Sequence, residues 1–353
     1  MPHSLDTAFL ERLTYSQGDV STLRRLGEFR GRQELFERQR PEVLTSMGQT
    51  ARIESMESSN RLEGVLAPRE RVEQLALGPE GDTPAGRSEQ EIAGYRDALN
   101  LLHEAGEKAP FRVGVIRQLH SILYKYEADQ GGEWKSVDNS IVERDSDGRV
   151  ERVRFRAVSA VETPARMDEL VRFYGAAVQT RKVDPLIAIP LTVLDFLCIH
   201  PFPDGNGRVA RLITLQLLYQ SSYDVGRYIS LERIIEQSKE TYYESLERSS
   251  QGWHESEHDV MPWLRYFWGV LLRAYKEFEE RVGQVGGGRG SKSQQVRDAV
   301  ARRSLPFAAA EIERDCPGIS RDTIRKVLRA LRDEGVIESD GKGRGAKWRP
   351  LGG

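Results

Sequence analysis

Cysteine is nearly absent from the sequence: Cys198 and Cys316 are the only two, and they lie far apart. Such usage excludes a disulfide framework and predicts reduced core residues of a cytoplasmic protein. Long hydrophobic runs are also missing, because Pro190 and Asp195 interrupt the longest apolar-leaning segment, residues 185–199, before it reaches the length of a membrane span. The first residues, MPHSLDTAFLERL, lack a basic start followed by an apolar stretch, so we expect neither a secretory signal nor a membrane partner.

Charge is unevenly distributed along the sequence. The chain has 353 residues, which are too many for one small hydrophobic core and suggest more than one domain. The formal net charge is −2, yet residues 289–353 carry 15 Lys and Arg against 9 Asp and Glu, which leaves an acidic remainder. The stretch GQVGGGRGSKS has almost nothing to bury and is typical of a linker. We predict four parts: an N-terminal helical region over 1–100, a core over 101–280, a linker over 281–293 and a basic domain over 294–353.

Helical periodicity dominates the acidic part, so we expect a mainly α fold. The segment RGRQELFERQRPEVLTSMGQTARIESMESSNRLEG spaces its apolar residues three and four apart until Gly64 ends the pattern. Residues 131–159 differ, because SIVERDSDGRVERVRF has two β-leaning runs around Asp147-Gly148, a hairpin turn signal.

The basic part reads as helix, helix, turn, helix and two short strands, the order of a small α+β winged helix-turn-helix. The third helix, RDTIRKVLRALRDEG, is rich in cations, which suggests DNA as a partner. The alternative is a solvated basic helix or a winged helix that binds protein. The residues that would face a DNA groove and its phosphates are Ser320, Arg321, Thr323, Arg325, Lys326 and Arg329.

The stretch CIHPFPDGNGRVARL places polar groups between two apolar helical segments. Pro201 disfavours helical geometry at His200, so the first helix should end there. The glycines in 205–207 permit backbone angles at which successive N–H groups converge, and the following helix adds its positive end. The sequence therefore predicts an anion cradle.

Arg208 and Arg211 begin that helix, where cations are poorly placed unless an anion lies between them and the dipole. A polyphosphate would resolve the conflict. Asp204 is a candidate ligand for a divalent cation that bridges phosphates, and His200 a candidate base for an attacking hydroxyl. Taken singly, the aspartate reads as a turn residue, the histidine as a helix end and Arg211 as a surface residue.

Residues 200–211 resemble the motif of the Fic family, H-x-F-x-[D/E]-G-N-G-R-x-x-R, with every defining position filled. The resemblance implies a Fic-type helical core with a β-hairpin flap, and transfer of AMP from ATP to a Ser, Thr or Tyr hydroxyl of a target protein. Fic relatives that phosphorylate their targets carry Lys at the position of Gly207, so this chain resembles the AMP-transferring branch. The flap would bind the target by strand addition.

The resemblance also implies residue roles. His200 would be the general base, Asp204 the ligand of Mg²⁺ or Mn²⁺, and Phe202 a packing residue under the loop. Tyr242 and Tyr243 fall where related proteins line the adenine pocket, although both would serve equally as core residues. The residues that the resemblance assigns to the phosphates are Gly205, Asn206, Gly207, Arg208 and Arg211.

A second motif, SNRLEG, fits the inhibitory helix pattern [S/T]-x-x-x-E-[G/N] of many Fic proteins. The resemblance implies that Glu63, with Ser59 in the same motif, pairs with Arg211 and blocks placement of the γ-phosphate, within one chain or between the protomers of a homodimer. This motif is short enough to occur by chance. Two alternatives follow: removal of AMP from a target through Glu63, and a DNA-binding regulator whose Fic core only senses nucleotide. Four further histidines lack the spacing of metal ligands and are expected to be solvent-exposed or core residues: His103, His120, His254 and His258.

Overall fold

The computed structural model describes residues 4–39, 41–77, 84–127, 131–144, 150–179, 183–285, 291–301, 303, 306–316, 319–340 and 347–351. The chain divides into two compact units, Met1–Phe278 and Glu279–Gly353. It is mainly helical with small antiparallel sheets. Among the described helices, none combines the length and the apolar character needed to cross a bilayer.

Helices build most of the chain up to residue 285, and three short 3-10 turns (Gly106–Lys108, Asp224–Arg227 and Trp253–Glu255) connect some of them. In chain order the α-helices are α1 (Thr7–Leu10), α2 (Gln17–Gln39), α3 (Pro41–Leu62), α4 (Arg69–Leu77), α5 (Arg87–Ala105), α6 (Val113–Leu123), α7 (Thr163–Gln179), α8 (Pro185–Ile199), α9 (Asn206–Gln220), α10 (Leu231–Glu236), α11 (Lys239–Ser250) and α12 (Met261–Val285).

Helix α8 is the buried centre of the first unit and packs between α7 and α9. Its apolar sequence leaves nearly every residue buried. Asp184 caps its N-terminus by accepting a hydrogen bond from the N–H of Leu186 at 2.8 Å, and Pro185 occupies the favoured first position. Neither Pro190 nor Asp195 ends the helix. The buried carboxylate of Asp195 is satisfied by a hydrogen bond from Trp253 Nε1 at 2.7 Å.

Helix α3 is held against α5 and α10 by a buried polar cluster. Glu232, which is 1% exposed, accepts hydrogen bonds from Ser55 Oγ at 2.7 Å and from Tyr95 OH at 3.0 Å. The helix stops at Leu62, and Gly64 follows with φ 79°, as its sequence predicts. The end of α3 is therefore fixed relative to α9 through α5 and α10.

The predicted β-hairpin is present as antiparallel strands β1 (Ser140–Arg144) and β2 (Val150–Arg156). Its expected turn, Asp147-Gly148, lies outside the described residues. Arg152 and Arg154 of β2 form ion pairs with Glu247 of α11 at 2.6 and 2.7 Å. These pairs attach the hairpin to α11.

The second unit contains α13 (Ser291–Ala301), β3 (Phe307–Ala308), α14 (Ala309–Asp315), α15 (Arg321–Asp333), β4 (Ile337–Asp340) and β5 (Lys347–Pro350). Its three strands form an antiparallel sheet in the order β3-β5-β4. The unit has its own hydrophobic core, to which every helix contributes; five of its members are Val296, Phe307, Ile312, Ile324 and Leu328.

The predicted linker over 281–293 is too long at both ends. Helix α12 continues to Val285 because Val282 is still buried, and α13 already begins at Ser291. The segment between them, 286–290, lies outside the described residues. The predicted boundary at residue 100 also has no counterpart, since Met1–Phe278 is one compact unit.

Candidate active site around the loop between α8 and α9

The loop between α8 and α9 has the helix ends that its sequence predicts. Helix α8 ends at Ile199, and His200 follows in the left-handed region with φ 50°. Gly205, with φ 74°, precedes Asn206, the first residue of α9. A Cβ at Gly205 would lie 2.9 Å from Tyr124 OH, so both the backbone angle and the space require glycine there.

Side chains brace this loop from within. The amide of Asn206 accepts a hydrogen bond from Phe202 N–H at 2.9 Å and donates one to Phe202 O at 2.8 Å. From the segment before β1, Lys135 Nζ donates to Ile199 O at 2.9 Å, and Asn139 Nδ2 donates to Phe202 O at 3.1 Å. Burial lowers the pKa of Lys135 to about 8. No motif in the sequence singled out Lys135 or Asn139.

His120 packs against the loop between α8 and α9 and hydrogen-bonds to it, a role that its position in the sequence did not indicate. Its ring stacks on Phe202 at 3.8 Å between centroids, and the phenyl ring is fully buried, as predicted. Nε2 donates to Asp204 O at 3.1 Å, while Nδ1 accepts from Gly132 N–H at 2.7 Å. Burial lowers the pKa of His120 to about 4, so the ring is neutral near pH 7.

His200 is oriented as a neutral base. Its Nδ1 donates to Leu197 O at 3.2 Å, which leaves Nε2 without a proton. Burial lowers the pKa of His200 to about 4. It lines a cavity of about 190 Å³.

The cavity brings together residues from α8, α9, α11, the end of α3 and the hairpin. Its lining combines charged groups with aliphatic and aromatic side chains. The lining residues are Glu63, Ile141, Arg154, Phe155, Leu194, Leu197, Cys198, His200, Gly207, Arg211, Tyr242, Tyr243, Leu246, Glu247 and Ser250. Six residues that the sequence predicted for the site thus share one cavity: His200, Gly207, Arg211, Tyr242, Tyr243 and Glu63.

Arg211 is bound by Ser59 and Glu63 at the end of α3. Its Nε donates to Ser59 Oγ and its Nη2 to Ser59 O, both at 2.8 Å. The same Nη2 donates to Glu63 Oε1 at 2.8 Å. The guanidinium side chain is 4% exposed and that of Glu63 is 30% exposed, so the carboxylate lies at the cavity wall.

The carboxylate of Glu63 also covers the first turn of α9. A Cβ at Gly207 would lie only 2.2 Å from Glu63 Oε1. Glycine thus leaves room for the carboxylate at this position, and a larger residue would displace it. The positive end of the helix dipole and the guanidinium of Arg211 both favour an anion here, and the carboxylate of Glu63 occupies that position.

Arg208, which is expected to bind phosphates, donates hydrogen bonds to other side chains of the protein. Its side chain is 1% exposed; Nη1 donates to Glu91 Oε2 at 2.6 Å and Nη2 donates to Tyr124 OH at 3.0 Å. Those partners come from α5 and from the residue after α6, so the guanidinium points away from the cavity. The side chain of Asn206, likewise assigned to the phosphates, is used inside the loop. Only its backbone N–H remains for an anion.

Asp204 stands at the rim of the loop with a side chain that is 66% exposed. One oxygen accepts the Gly205 N–H at 2.7 Å, and the other lies 3.8 Å from Arg208 Nη2. No group of three or more metal-ligating side chains occurs among the described residues. A single accessible carboxylate fits Mg²⁺, which usually takes one or two carboxylates and completes its shell with waters and phosphates.

The comparison with known families agrees with this geometry: residues 110–218 match the profile described as the Fic/DOC family. These residues form a Fic/DOC family domain. Members of this family commonly transfer AMP or other groups to proteins. The Fic domain of this chain holds α8, the motif loop and most of α9, whereas Glu63 lies before it.

Solved structures show the same fold at low sequence identity. A Fic family protein from Desulfovibrio desulfuricans is 20% identical, with a TM-score of 0.62 over 97% of this chain and 98% of that one. A Fic domain containing signaling protein from Bacteroides thetaiotaomicron is 22% identical, with a TM-score of 0.61 over 74% of this chain and 98% of that one. Fic-1 from C. elegans is 18% identical, with a TM-score of 0.56 over 75% of this chain and 72% of that one.

Proposed function

We propose that this protein is an adenylyltransferase that moves AMP from ATP to a hydroxyl of a target protein. One observation carries the proposal: a neutral His200 and the anion-binding pair Gly207 and Arg211 line the same cavity. A general base and an anion site are the two parts that phosphoryl-type transfer needs.

The first step would be proton removal from the target hydroxyl. His200 Nε2 is the free ring nitrogen, because Nδ1–H is held by Leu197 O at 3.2 Å. As Nε2 takes the proton, the hydroxyl oxygen bonds to the α-phosphorus of ATP. The bond from that phosphorus to the bridging oxygen breaks, and pyrophosphate leaves with the electron pair.

Negative charge of the phosphates would be held by the backbone N–H groups at the start of α9 and by Arg211. Asn206 contributes through its backbone, while its side chain keeps the loop rigid. Arg208 acts as a positioning residue, because it ties α9 to Glu91 of α5. Preorganised donors of this kind need no rearrangement during the reaction.

The adenine would lie among the apolar and aromatic residues of the cavity. Tyr242 is 4% exposed, and its ring packs against Tyr243 at 5.1 Å between centroids. Leu194 and Leu197 of α8 complete this part of the lining. Apolar walls with few polar groups are typical of nucleobase and other small-molecule pockets.

The target would bind along the hairpin. Among the described residues, β1 and β2 pair only with each other, so the outer edge of each lacks a neighbouring strand. Addition of a target strand to such an edge uses backbone hydrogen bonds and tolerates varied sequences. Ile141 and Phe155 of the hairpin line the cavity, which would bring the bound strand close to His200.

Asp204 would hold a magnesium or manganese ion at the phosphates. When bound, the cation supplies positive charge against the phosphate oxygens. The carboxylate is accessible for this, because the Asp204 side chain is 66% exposed.

Glu63 would hold the enzyme inactive. Its carboxylate takes the donor of Arg211 at 2.8 Å and covers Gly207, the two groups that the terminal phosphate requires. ATP could then bind only in a displaced pose. A differential affinity of a few kcal/mol is enough to select between two poses.

Labelled ATP tests the proposed reaction. The Glu63→Gly variant is incubated with a native lysate and with ATP that carries the label on either the α- or the γ-phosphate. We expect protein-bound label from the α-labelled nucleotide only, and none from a Glu63→Gly/His200→Ala double variant. Label from the γ-phosphate, or none from either nucleotide, would overturn the proposal.

A second candidate, removal of AMP from a modified target, is favoured by the placement of Glu63 in the same cavity as His200. A carboxylate at this position can take a proton from water while the water oxygen bonds to phosphorus and the target oxygen leaves. Target modified by the Glu63→Gly variant should lose AMP on addition of wild-type protein, but not on addition of Glu63→Gln protein.

A further inference from the structure

We propose that the second unit is a winged helix-turn-helix that binds duplex DNA through one face of α15. The face consists of Arg325, Lys326 and Arg329, and we call it the basic face. This inference is independent of nucleotide transfer, because all of its residues belong to Glu279–Gly353.

The framework of the unit suits a groove-reading helix. Helices α14 and α15 are joined by a short segment, and the antiparallel strands β4 and β5 follow directly. Ser320 caps α15 by accepting from Thr323 N–H at 3.3 Å, so the helix has a defined start. The segment between β4 and β5, 341–346, lies outside the described residues. Helix, turn, helix and two strands are the elements of a winged helix-turn-helix.

Helix α15 is strongly amphipathic. Ile324, Val327, Leu328 and Leu331 are buried in the core of the unit. The basic face lies on the opposite side, where Arg325, Lys326 and Arg329 are all exposed. Residues three and four apart share a side of a helix, so the three cations form one continuous patch.

Three other arginines of the unit form ion pairs with carboxylates. Arg297 pairs with Glu334 at 2.6 Å, and Arg303 pairs with Glu311 at 2.8 Å. Arg321, which the sequence also suggested for DNA, pairs with Glu313 at 2.8 Å.

The basic face is different, since none of its three residues has an ion pair within the described part of the chain. Its charge is available to an external anion. A regular row of phosphates is the ligand that matches several unpaired cations on an exposed helix.

Duplex DNA fits this face better than other polyanions. The major groove of B-form DNA admits an α-helix, whereas the corresponding groove of A-form RNA is too deep and narrow. Asp322 lies one turn before Lys326 on the same side and is exposed. A carboxylate there can accept from the amino group of cytosine, while the cations hold the backbone.

Salt-dependent binding of the full chain to a fluorescent duplex of random sequence tests this proposal. The variant Arg325→Ala/Lys326→Ala/Arg329→Ala should lower the slope of log K against log salt by about 3, roughly one for each phosphate contact. The matched control, Lys239→Ala/Arg248→Ala/Lys276→Ala, removes the same charge from exposed positions of the first unit and should leave the slope unchanged.

Because the three residues point outward, the triple variant should fold; if it does not, the single variants Lys326→Ala and Arg329→Ala should each lower the slope by about one. Duplex RNA of the same sequence should bind more weakly than DNA to the wild-type chain. Absence of DNA binding, equal loss in the control variant, or equal affinity for the RNA duplex would overturn the proposal.

Discussion

Glu63 and Arg211 are joined by a 2.8 Å ion pair although 148 positions separate them in sequence. The carboxylate comes from the end of α3 and the guanidinium from the first turns of α9. The pair closes the anion site of the motif loop, since the same carboxylate oxygen lies against Gly207. In the proposed function, substrate phosphate and Glu63 would therefore compete for one set of donors.

The first prediction concerns this competition. Replacement Glu63→Gln removes the negative charge but keeps the size of the side chain, so we expect productive transfer from ATP to rise at least about tenfold, the effect of about 1.4 kcal/mol. The rate of target labelling by α-labelled ATP measures the effect.

Glu57→Gln is the matched control, because Glu57 lies on the same helix and pairs with Arg69 at 3.5 Å away from the cavity. Its labelling rate should equal that of the wild type. Equal rates for the two glutamine variants would show that the charge of Glu63 does not restrain the site.

The second prediction concerns Ser59, which accepts the Nε donor of Arg211 through Oγ at 2.8 Å. Ser59→Ala removes one of the bonds that hold the arginine toward α3, at a cost of about 1 kcal/mol to the inhibited arrangement. Labelling should increase, but less than in Glu63→Gln.

Ser58→Ala serves as the control, since Ser58 is equally buried on the same helix and makes no hydrogen bond to Arg211. The melting temperatures of the two variants are compared as well, to distinguish an effect on the position of Arg211 from a general loss of stability. A decrease in labelling with Ser59→Ala would contradict the prediction.

The third prediction concerns the attachment of the hairpin. Glu247 pairs with both Arg152 and Arg154, and its side chain is 23% exposed. Glu247→Gln weakens both pairs, so amide hydrogens of β2 should exchange faster and KM for the target should rise. Glu244→Gln on the same helix is the control, because the one ion pair of Glu244 within the described residues, to Arg248, is exposed and 3.8 Å long. Unchanged exchange in Glu247→Gln would show that other contacts hold the hairpin.

The fourth prediction concerns pH. Burial lowers the pKa of His120 and of His200 to about 4, and that of His103 to about 3. As pH falls from about 6.5, these rings become protonated in the unfolded chain but not in the folded chain, so the free energy of unfolding decreases. We expect each histidine to contribute about 1–2 kcal/mol between pH 6.5 and 5.

Thermal melting across this interval measures the decrease, and His120→Gln should make it shallower. The carboxylates add little there, because their ordinary pKa values lie near about 4. A melting temperature that does not change between pH 6.5 and 5 would mean that the histidines are protonated in the folded protein as well.

Much of the loop geometry could be predicted from sequence, because it depends on local backbone rules. Pro201 fixed the end of α8, and the glycines of 205–207 fixed the start of α9. The pairing of Glu63 with Arg211 was implied by two family motifs rather than by local physics. The hairpin and the order of elements in the second unit also followed from periodicity and turn residues.

The partners of Arg208 could not be predicted, because Glu91 and Tyr124 are distant in sequence and carry no motif. The same holds for His120, whose place under Phe202 depends on how α6 packs against the loop. Tertiary contacts of this kind leave no periodic signal along the chain. The end of α12 could not be predicted for a related reason, since Val282 is buried in the folded unit and the helix continues into the Gly-rich region.

The most direct test of the central claim measures ATP affinity and AMP transfer together in the Glu63→Gly and Glu63→Gly/His200→Ala proteins. We propose that His200 acts on the target hydroxyl and Arg211 on the phosphates. Calorimetric affinity for ATP should therefore be equal in the two proteins, while transfer disappears in the double variant. Transfer that survives the loss of His200 would contradict the account.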